Sequence, residues 1–107
     1  MLMLHQYRDD NDAVPYEEWE RSLPSVAAAR VTKYVKRMEN GNFGSSKAVG
    51  GGVIELKIDV GPGYRVYYGR DGDTLIILLG GGSKKQQSRD IAAAIERWNE
   101  YKRRKRE

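Results

Sequence analysis

The sequence VIELKIDVGPGYRVYYGRDGDTLIILLGGGSKK, residues 53–85, decides the fold because it contains three successive strand patterns. In residues 53–60 polar and apolar side chains alternate, and this period of two with one apolar face is typical of a half-buried strand. The alternation resumes in residues 64–69, and Gly-Pro-Gly and Asp-Gly sequences mark the two turns between the strands. Residues 74–79 are apolar on both faces, which predicts a central strand covered on both sides.

The rest of the chain carries helical and shorter strand patterns. In chain order they predict a strand at 1–7, helices at 16–22 and 25–39 separated by Pro24, a short strand near 47–49 and a helix at 90–105. The first strand should pair at an edge of the sheet or beside the later hairpin. We therefore predict a single α+β domain, residues 1–107: two N-terminal helices packed on a twisted, mostly antiparallel sheet of about four strands, plus a C-terminal helix. Residues 102–107 should form a frayed basic tail.

The composition excludes several classes of protein. A chain of 107 residues can bury about 65% of its unfolded surface, which is enough for one core. It has no Cys, so disulfides, zinc–thiolate sites and iron–sulfur clusters are excluded and a reducing compartment fits. Apolar runs such as residues 75–79 are far shorter than the ~18 residues of a membrane span, and no basic segment precedes the apolar N-terminus. We expect a cytoplasmic protein with no membrane partner.

The charge is distributed unevenly along the chain. The formal net charge is +4, but residues 1–20 hold six acids against one base, whereas residues 84–107 hold nine bases against four acids. A polyanion would bind the basic end, with an affinity that falls steeply as salt rises. A merely solubilising surface explains the same distribution, so the charge alone leaves both possibilities open.

Cations on the predicted sheet are the main candidates for chemistry. The chain has one His and no Cys, so its function depends on Lys, Arg and Tyr side chains or on binding alone. Lys57 and Arg65 lie on adjacent predicted strands, and Lys84 and Lys85 follow the third strand. An Arg guanidinium bonds two phosphate oxygens and stays charged, whereas Lys transfers a proton only when its surroundings lower its pKa from about 10.4. This pattern indicates a phosphate-binding surface.

Structural explanations compete with the functional ones. Arg65 is also compatible with an ion pair to Glu55 or Asp59, and Lys57 with a solvated strand face. Tyr67 shares a face with Arg65, which permits stacking on a nucleobase. The acids show no ligand spacing, so we expect no metal, and we expect no other cofactor. The glycines at 80–82 lack the Lys-Ser/Thr ending of a phosphate loop.

The order of these motifs resembles the RelE/ParE superfamily of bacterial toxins, and within it the HigB-like branch of addiction module killer proteins. The resemblance covers about residues 4–102 and is carried by Glu55-Leu56-Lys57-Ile58, by Gly61-Pro62-Gly63-Tyr64-Arg65-Val66-Tyr67-Tyr68, and by Leu78-Leu79-Gly80 leading to Ser83-Lys84-Lys85. It implies a RelE-like fold and the toxin of a type II toxin–antitoxin system.

The ribonuclease members imply a metal-independent endonuclease that cuts messenger RNA on the ribosome and so inhibits translation. In such a reaction the 2′-hydroxyl of the RNA attacks the neighbouring phosphorus, and preorganised charge stabilises the transition state. By resemblance, Arg65 would bind the scissile phosphate, and Lys57 and Lys85 would share charge stabilisation and proton transfer. Further RNA contacts are expected from Lys84, Arg89, Tyr67, Lys102, Arg103 and Arg104.

Two positions depart from the ribonuclease pattern. Glu55 stands where several relatives have a second Lys, and Ile91 stands near the position of a Tyr or His. Glu55 is itself a candidate base. Two alternatives therefore stay open: a ParE-like poison of DNA gyrase without nuclease activity, and a non-toxic relative that only binds an antitoxin.

The expected partners follow from the same resemblance. The cognate antitoxin should be a small helix-turn-helix protein that forms a hetero-oligomer with this chain. The substrate should be messenger RNA held by the ribosome, because a small protein has few groups with which to read bases.

Overall fold

The computed structural model describes residues 1–106, which form a five-stranded sheet with helices on both faces. The elements are β1 (Met3–Gln6), α1 (Pro15–Arg21), α2 (Ser25–Arg37), β2 (Ser45–Gly50), β3 (Val53–Ile58), β4 (Tyr64–Asp71), β5 (Leu75–Ser83) and α3 (Gln87–Lys105). Short 3-10 turns follow α2 and precede α3.

The sheet is mixed, with the strand order β1-β5-β4-β3-β2. Strands β2 to β5 form an antiparallel meander, and β1 pairs in parallel with β5. The edge position of the first strand is confirmed, but the sheet has five strands where about four were predicted. The middle strand is β4, whereas β5 was predicted to be central; β5 is second from the edge. The weak signal for β2 has a physical reason, since most of its side chains are exposed and no apolar alternation marks it.

Each face of the sheet carries its own core. Helices α1 and α2 cover one face, where Val31, Val35 and Met38 pack on strand side chains such as Leu56 and Val66. Helix α3 covers the other, through residues that include Ala94 and Trp98. Two covered faces explain why β5 is apolar on both sides, as its sequence indicated. The two N-terminal helices and the C-terminal helix of the prediction are confirmed.

The end of α3 is ordered rather than frayed. The helix continues to Lys105, and Tyr101 donates from its hydroxyl to Oδ2 of Asp71 at 2.6 Å. Burial and this contact raise the pKa of Tyr101 to about 12. Arg104 donates to the carbonyl of Arg8 at 2.6 Å. Because of these contacts to β4 and to the N-terminal loop, the prediction of a frayed tail is wrong. Residue 107 lies outside the described residues.

No helix within 1–106 is both long and apolar enough to cross a bilayer.

Candidate functional site

The strand register brings the predicted cations of the sheet to one end of it. Lys57, near the end of β3, lies directly opposite Arg65, near the start of β4. Arg65 in turn lies opposite Gly82 at the end of β5. The backbone N–H of Lys84 donates to the carbonyl of Gly63 in the β3–β4 turn at 3.2 Å. Because opposite side chains on neighbouring strands have Cβ atoms about 5 Å apart, these residues form one neighbourhood.

Arg65 lies beneath the surface of this neighbourhood. Only 6% of the residue is exposed, and its Nε is 3.6 Å from Oε1 of Glu55, which is 1% exposed. At that distance the contact is an ion pair without a hydrogen bond. Nε and Nη1 of Arg65 are buried with no hydrogen-bond partner among residues 1–106. The alternative expectation, an ion pair to Glu55, is therefore confirmed, and the guanidinium is not free at the surface.

The start of α3 holds Glu55 from the other side. Nε2 of Gln87 donates to Oε2 of Glu55 at 2.7 Å. Gln87 is the first residue of α3, which begins there rather than at residue 90 as predicted. The first turn of the helix therefore lies over the end of the sheet that carries Arg65.

Asp90 lies in the same turn and packs against Gly82. A Cβ at Gly82 would overlap the Asp90 carboxylate, so the missing side chain is what allows the helix to approach the sheet. Oδ2 of Asp90 is buried and has no hydrogen-bond partner within the described chain. Burial raises the pKa of Asp90, and the charges of Arg89 and Arg97 offset that rise only in part.

Tyr67 belongs to the same cluster. It lies opposite Glu55, is 1% exposed and packs in the core with Trp98. Its Oη is buried, again without a hydrogen-bond partner in residues 1–106. Burial raises the pKa of Tyr67, and the charges of Glu55 and Asp90 raise it further. The phenol stays protonated, and the structure does not present its ring to solvent for the predicted stacking.

Exposed cations surround this buried cluster. The side chain of Lys57 is 47% exposed, and its Nζ is 3.7 Å from Oδ1 of Asp59. A pair this exposed contributes little to stability, so Lys57 can leave it for another anion. Lys84, Lys85 and Arg89 are also exposed. Together these four side chains form a cationic rim, which we define as Lys57, Lys84, Lys85 and Arg89.

Comparison with known proteins identifies the family. Residues 18–99, which include β3 to β5 and most of α3, match the family described as "Phage derived protein Gp49-like (DUF891)". The chain belongs to this Gp49-like family. It is also 42% identical over 80 residues to an uncharacterized protein of Haemophilus influenzae, across 74% of this chain and 81% of that protein. The Gp49-like family is associated with toxin–antitoxin modules, and the whole cluster described above lies within the matched residues.

The remaining predicted RNA contacts of this Gp49-like protein lie elsewhere. Lys102, Arg103 and Arg104 occupy the opposite end of α3, roughly 20 Å along the helix axis from Arg89. Arg104 is paired with Asp10 and with Glu100. The structure therefore separates the predicted cations into two groups, the rim with Arg65 and the C-terminal end of α3.

Five grooves of the described surface lie away from Arg65. A groove of about 440 Å³ at the C-terminal end of α3 is lined by residues that include Trp98, Tyr101 and Lys102. None of five grooves on the described surface is lined by Arg65 or by Lys57. The first turn of α3 instead contacts Glu55 and Gly82, on the two strands that flank Arg65. No group of three His, Asp or Glu side chains within 1–106 is arranged to hold a metal ion.

Sequence reasoning missed the part played by Gln87 and Asp90 in this site. Both fall at the start of α3, in residues that were assigned to a polar connection or to the first position of the helix. A signal was present, because Gln87 precedes Ile91 by four residues and Asp90 precedes Ala94 by four. On a helix that spacing places them on the face that packs against the sheet.

Proposed function

We propose that this Gp49-like protein is the toxin of a type II toxin–antitoxin pair, similar to the HigB-like branch of the RelE/ParE superfamily. We further propose that it cuts messenger RNA on the ribosome without a metal. The association of the family with toxin–antitoxin modules supports the first statement. The observation that carries the second is the register that brings Lys57, Arg65 and the Lys84-Lys85 turn to one end of a rigid sheet.

The proposed reaction uses the RNA's own nucleophile. The 2′-hydroxyl oxygen forms a bond to the adjacent phosphorus as the bond from phosphorus to the 5′ oxygen breaks. The 2′ proton passes to Glu55, and Lys85 donates a proton to the departing 5′ oxygen. Arg65 and Lys57 stabilise the extra negative charge of the phosphorane, which is usually the largest catalytic contribution. The products carry a 2′,3′-cyclic phosphate and a 5′-hydroxyl.

The buried donors of Arg65 support a phosphate ligand. Its Nε and Nη1 have no acceptor within residues 1–106, and leaving a buried polar group unsatisfied costs about 1–3 kcal/mol. Phosphate oxygens supply the acceptors in a geometry that suits a guanidinium fork.

The test uses exposed side chains, so that a loss of activity does not reflect unfolding. Lys57→Ala combined with Lys85→Ala removes two rim cations, and Lys33→Ala, an exposed Lys on α2, is the control. Messages are sequenced for new 5′ ends after brief induction in cells. We expect cutting to fall roughly a hundredfold or more in the double variant and to persist in the control. Equal cutting by both variants contradicts the proposal.

A poison of DNA gyrase that breaks no bonds is the second candidate. It is favoured by the closed Arg65–Glu55 pair, because a carboxylate already beside the guanidinium disfavours a phosphate there. The two functions separate in the same cells. Rapid translation arrest with cut messages supports the nuclease, whereas double-strand DNA breaks without cut messages support gyrase.

The proposed partner is an antitoxin, a small helix-turn-helix protein that forms a hetero-oligomer with this chain. The family association with two-gene modules supports it. Co-expression of the neighbouring open reading frame tests it, since the antitoxin should copurify with this protein and restore growth.

A further inference from the structure

The first turn of α3 contacts the two strands on either side of Arg65 through few specific interactions. Gln87 donates to Glu55 at 2.7 Å, and Glu55 lies 3.6 Å from Nε of Arg65. Asp90 packs on Gly82, which is the residue opposite Arg65 on β5. The turn therefore lies over both strands that flank Arg65.

The covered arrangement leaves its polar groups poorly satisfied. Nε and Nη1 of Arg65, Oη of Tyr67 and Oδ2 of Asp90 are buried without a hydrogen-bond partner in the described chain. Such groups are rare in folded proteins, and each one has to be explained. Each buried group without a partner costs about 1–3 kcal/mol, which lowers the free energy needed to open this arrangement.

The segment that covers the site is weakly held at its start. No side chain of residues 1–106 caps the N-terminus of α3 or of the 3-10 turn before it, and an absent cap costs a helix about 1 kcal/mol. The Lys84 N–H is bonded to the Gly63 carbonyl at 3.2 Å, so the weak point is the start of the helix that follows. All three residues of that turn, Lys84–Gln86, are exposed. Segments with exposed backbone and few buried contacts open at the low end of a protein's local stabilities.

We propose that the Gln87–Glu55 hydrogen bond is a latch that keeps Arg65 covered, and that its release frees both Glu55 and Arg65 for a phosphodiester. The identity of the ligand rests on the proposed function, but the latch itself does not. Opening removes the first turn of α3 from the end of β5, while the hydrogen bond from the Lys84 N–H to the Gly63 carbonyl, 3.2 Å long, keeps Lys84 at the β3–β4 turn. The proposed nuclease would then be inactive until a substrate or the ribosome favours the open arrangement.

The test measures exposure of the guanidinium directly. Gln87→Ala removes the latch in the full-length protein, and Ser88→Ala, at an exposed neighbouring position, is the matched control. Exchange of the Arg65 Nε–H with water is followed by NMR. Loss of a hydrogen bond to a charged group should speed this exchange roughly tenfold to a hundredfold, with the control unchanged. Exchange that stays the same, or slows, overturns the latch.

Gln87→Glu keeps the length of the side chain and is a second variant. It places a carboxylate against Glu55, so repulsion should open the latch and again speed the exchange. Unchanged exchange in this variant also contradicts the latch.

Cutting of messages in induced cells separates the latch from the proposed function. If exchange speeds up in Gln87→Ala and that variant still cuts messages, both stand. If exchange speeds up while neither the parent nor the variant cuts messages, the latch stands and the proposed function fails. If exchange is unchanged while the parent cuts messages and the Lys57→Ala, Lys85→Ala double variant does not, the proposed function stands and the latch is wrong.

Discussion

Among single residues, Glu55 is central to the site because its carboxylate contacts both a guanidinium and an amide. Glu55 faces Arg65 on one side and Gln87 on the other. Both charges are buried and no hydrogen bond joins them. Their attraction therefore offsets little of the free energy that is lost when the two groups leave water. Such a pair contributes little to the free energy of unfolding, so we connect it with function.

Arg65→Ala should lower the free energy of unfolding by about 3–5 kcal/mol, because it leaves Glu55 as a buried, uncompensated charge. Replacing both residues with Met removes both charges and should cost clearly less than the sum of the single changes. Urea denaturation of Arg65→Ala, Arg65→Met, Glu55→Met and the double Met variant measures these costs. A cost below about 1 kcal/mol for Arg65→Ala would contradict the buried pair.

Asp90 should make the protein less stable as pH rises. Its pKa is raised above the ordinary 3.8 by burial, so the folded state binds the proton more tightly than the unfolded state. The stability from this group is fully present below 3.8 and is lost as pH rises through the higher folded pKa. We expect Asp90→Asn to remove that part of the pH dependence and to raise stability at neutral pH, as measured by thermal melts across the acid range. A variant less stable than the parent at neutral pH would contradict the burial of an unpaired carboxylate.

The positions of Lys57 and Arg65 on the sheet could be predicted from the sequence, but the burial of Arg65 could not. Alternation within β3 and β4 puts Lys57 and Arg65 on one face, and the register then sets them opposite each other. The cover over Arg65 depends on Gln87, which is 32 residues from Glu55 in the chain. No local pattern encodes a contact at that separation.

At the scale of elements, three successive glycines let two helices and one side chain approach β5. Gly81 lies against Trp19 of α1, and Gly82 lies against Asp90 of α3. Arg97 of α3 reaches past Gly80 and donates to the carbonyl of Leu79 at 3.0 Å. The glycine run serves close packing on both faces of the sheet, in agreement with its lack of a phosphate-loop ending.

Gly82→Ala should therefore displace the first turn of α3. Its Cβ would overlap the Asp90 carboxylate, and overpacking of this kind costs about 1–3 kcal/mol. Asp90→Ala in the same chain removes the obstructing atoms, so the double variant should lose less stability than the sum of the two changes. Additive losses in a denaturation experiment would mean that the two residues do not touch.

Elements with strong apolar patterns could be predicted from the sequence, whereas mostly exposed ones could not. Strands β3 to β5 have alternating or continuous apolar side chains because they bury one or both faces. Strand β2 carries mostly exposed side chains, so only a short piece of it was predicted. The first three residues of α3 are polar and largely exposed, which explains why they fell outside the predicted helix.

At the scale of the whole molecule, the basic end of the chain is divided in two. The rim lies beside Arg65 at one end of α3, and the bases of the last turns lie at the other end, where Arg104 and Lys105 are already paired with Asp10 and Asp71. A cation that is paired with a carboxylate attracts an RNA backbone less strongly than an unpaired one. The rim should therefore supply most of the salt-sensitive binding.

Lys84→Ala combined with Lys85→Ala should reduce the salt dependence of RNA binding. Each phosphate contact on single-stranded RNA contributes about 0.7 to the slope of log affinity against log salt concentration. Losing two contacts should lower that slope by about 1.4. The matched control is Lys33→Ala with Lys36→Ala on the exposed face of α2, which should leave the slope unchanged. Equal slopes in the two double variants would remove the rim from the RNA-binding surface.

The position of the scissile phosphate shows whether Arg65 binds the message. A structure of the protein on a ribosome, with a message that carries a 2′-deoxy nucleotide at the cut site, gives that position because cleavage cannot proceed. We predict that the phosphate lies within hydrogen-bond distance of Arg65, between Lys57 and Lys85, and that Gln87 has left Glu55. A message bound at the far end of α3, with Arg65 still covered by Gln87, would contradict the account.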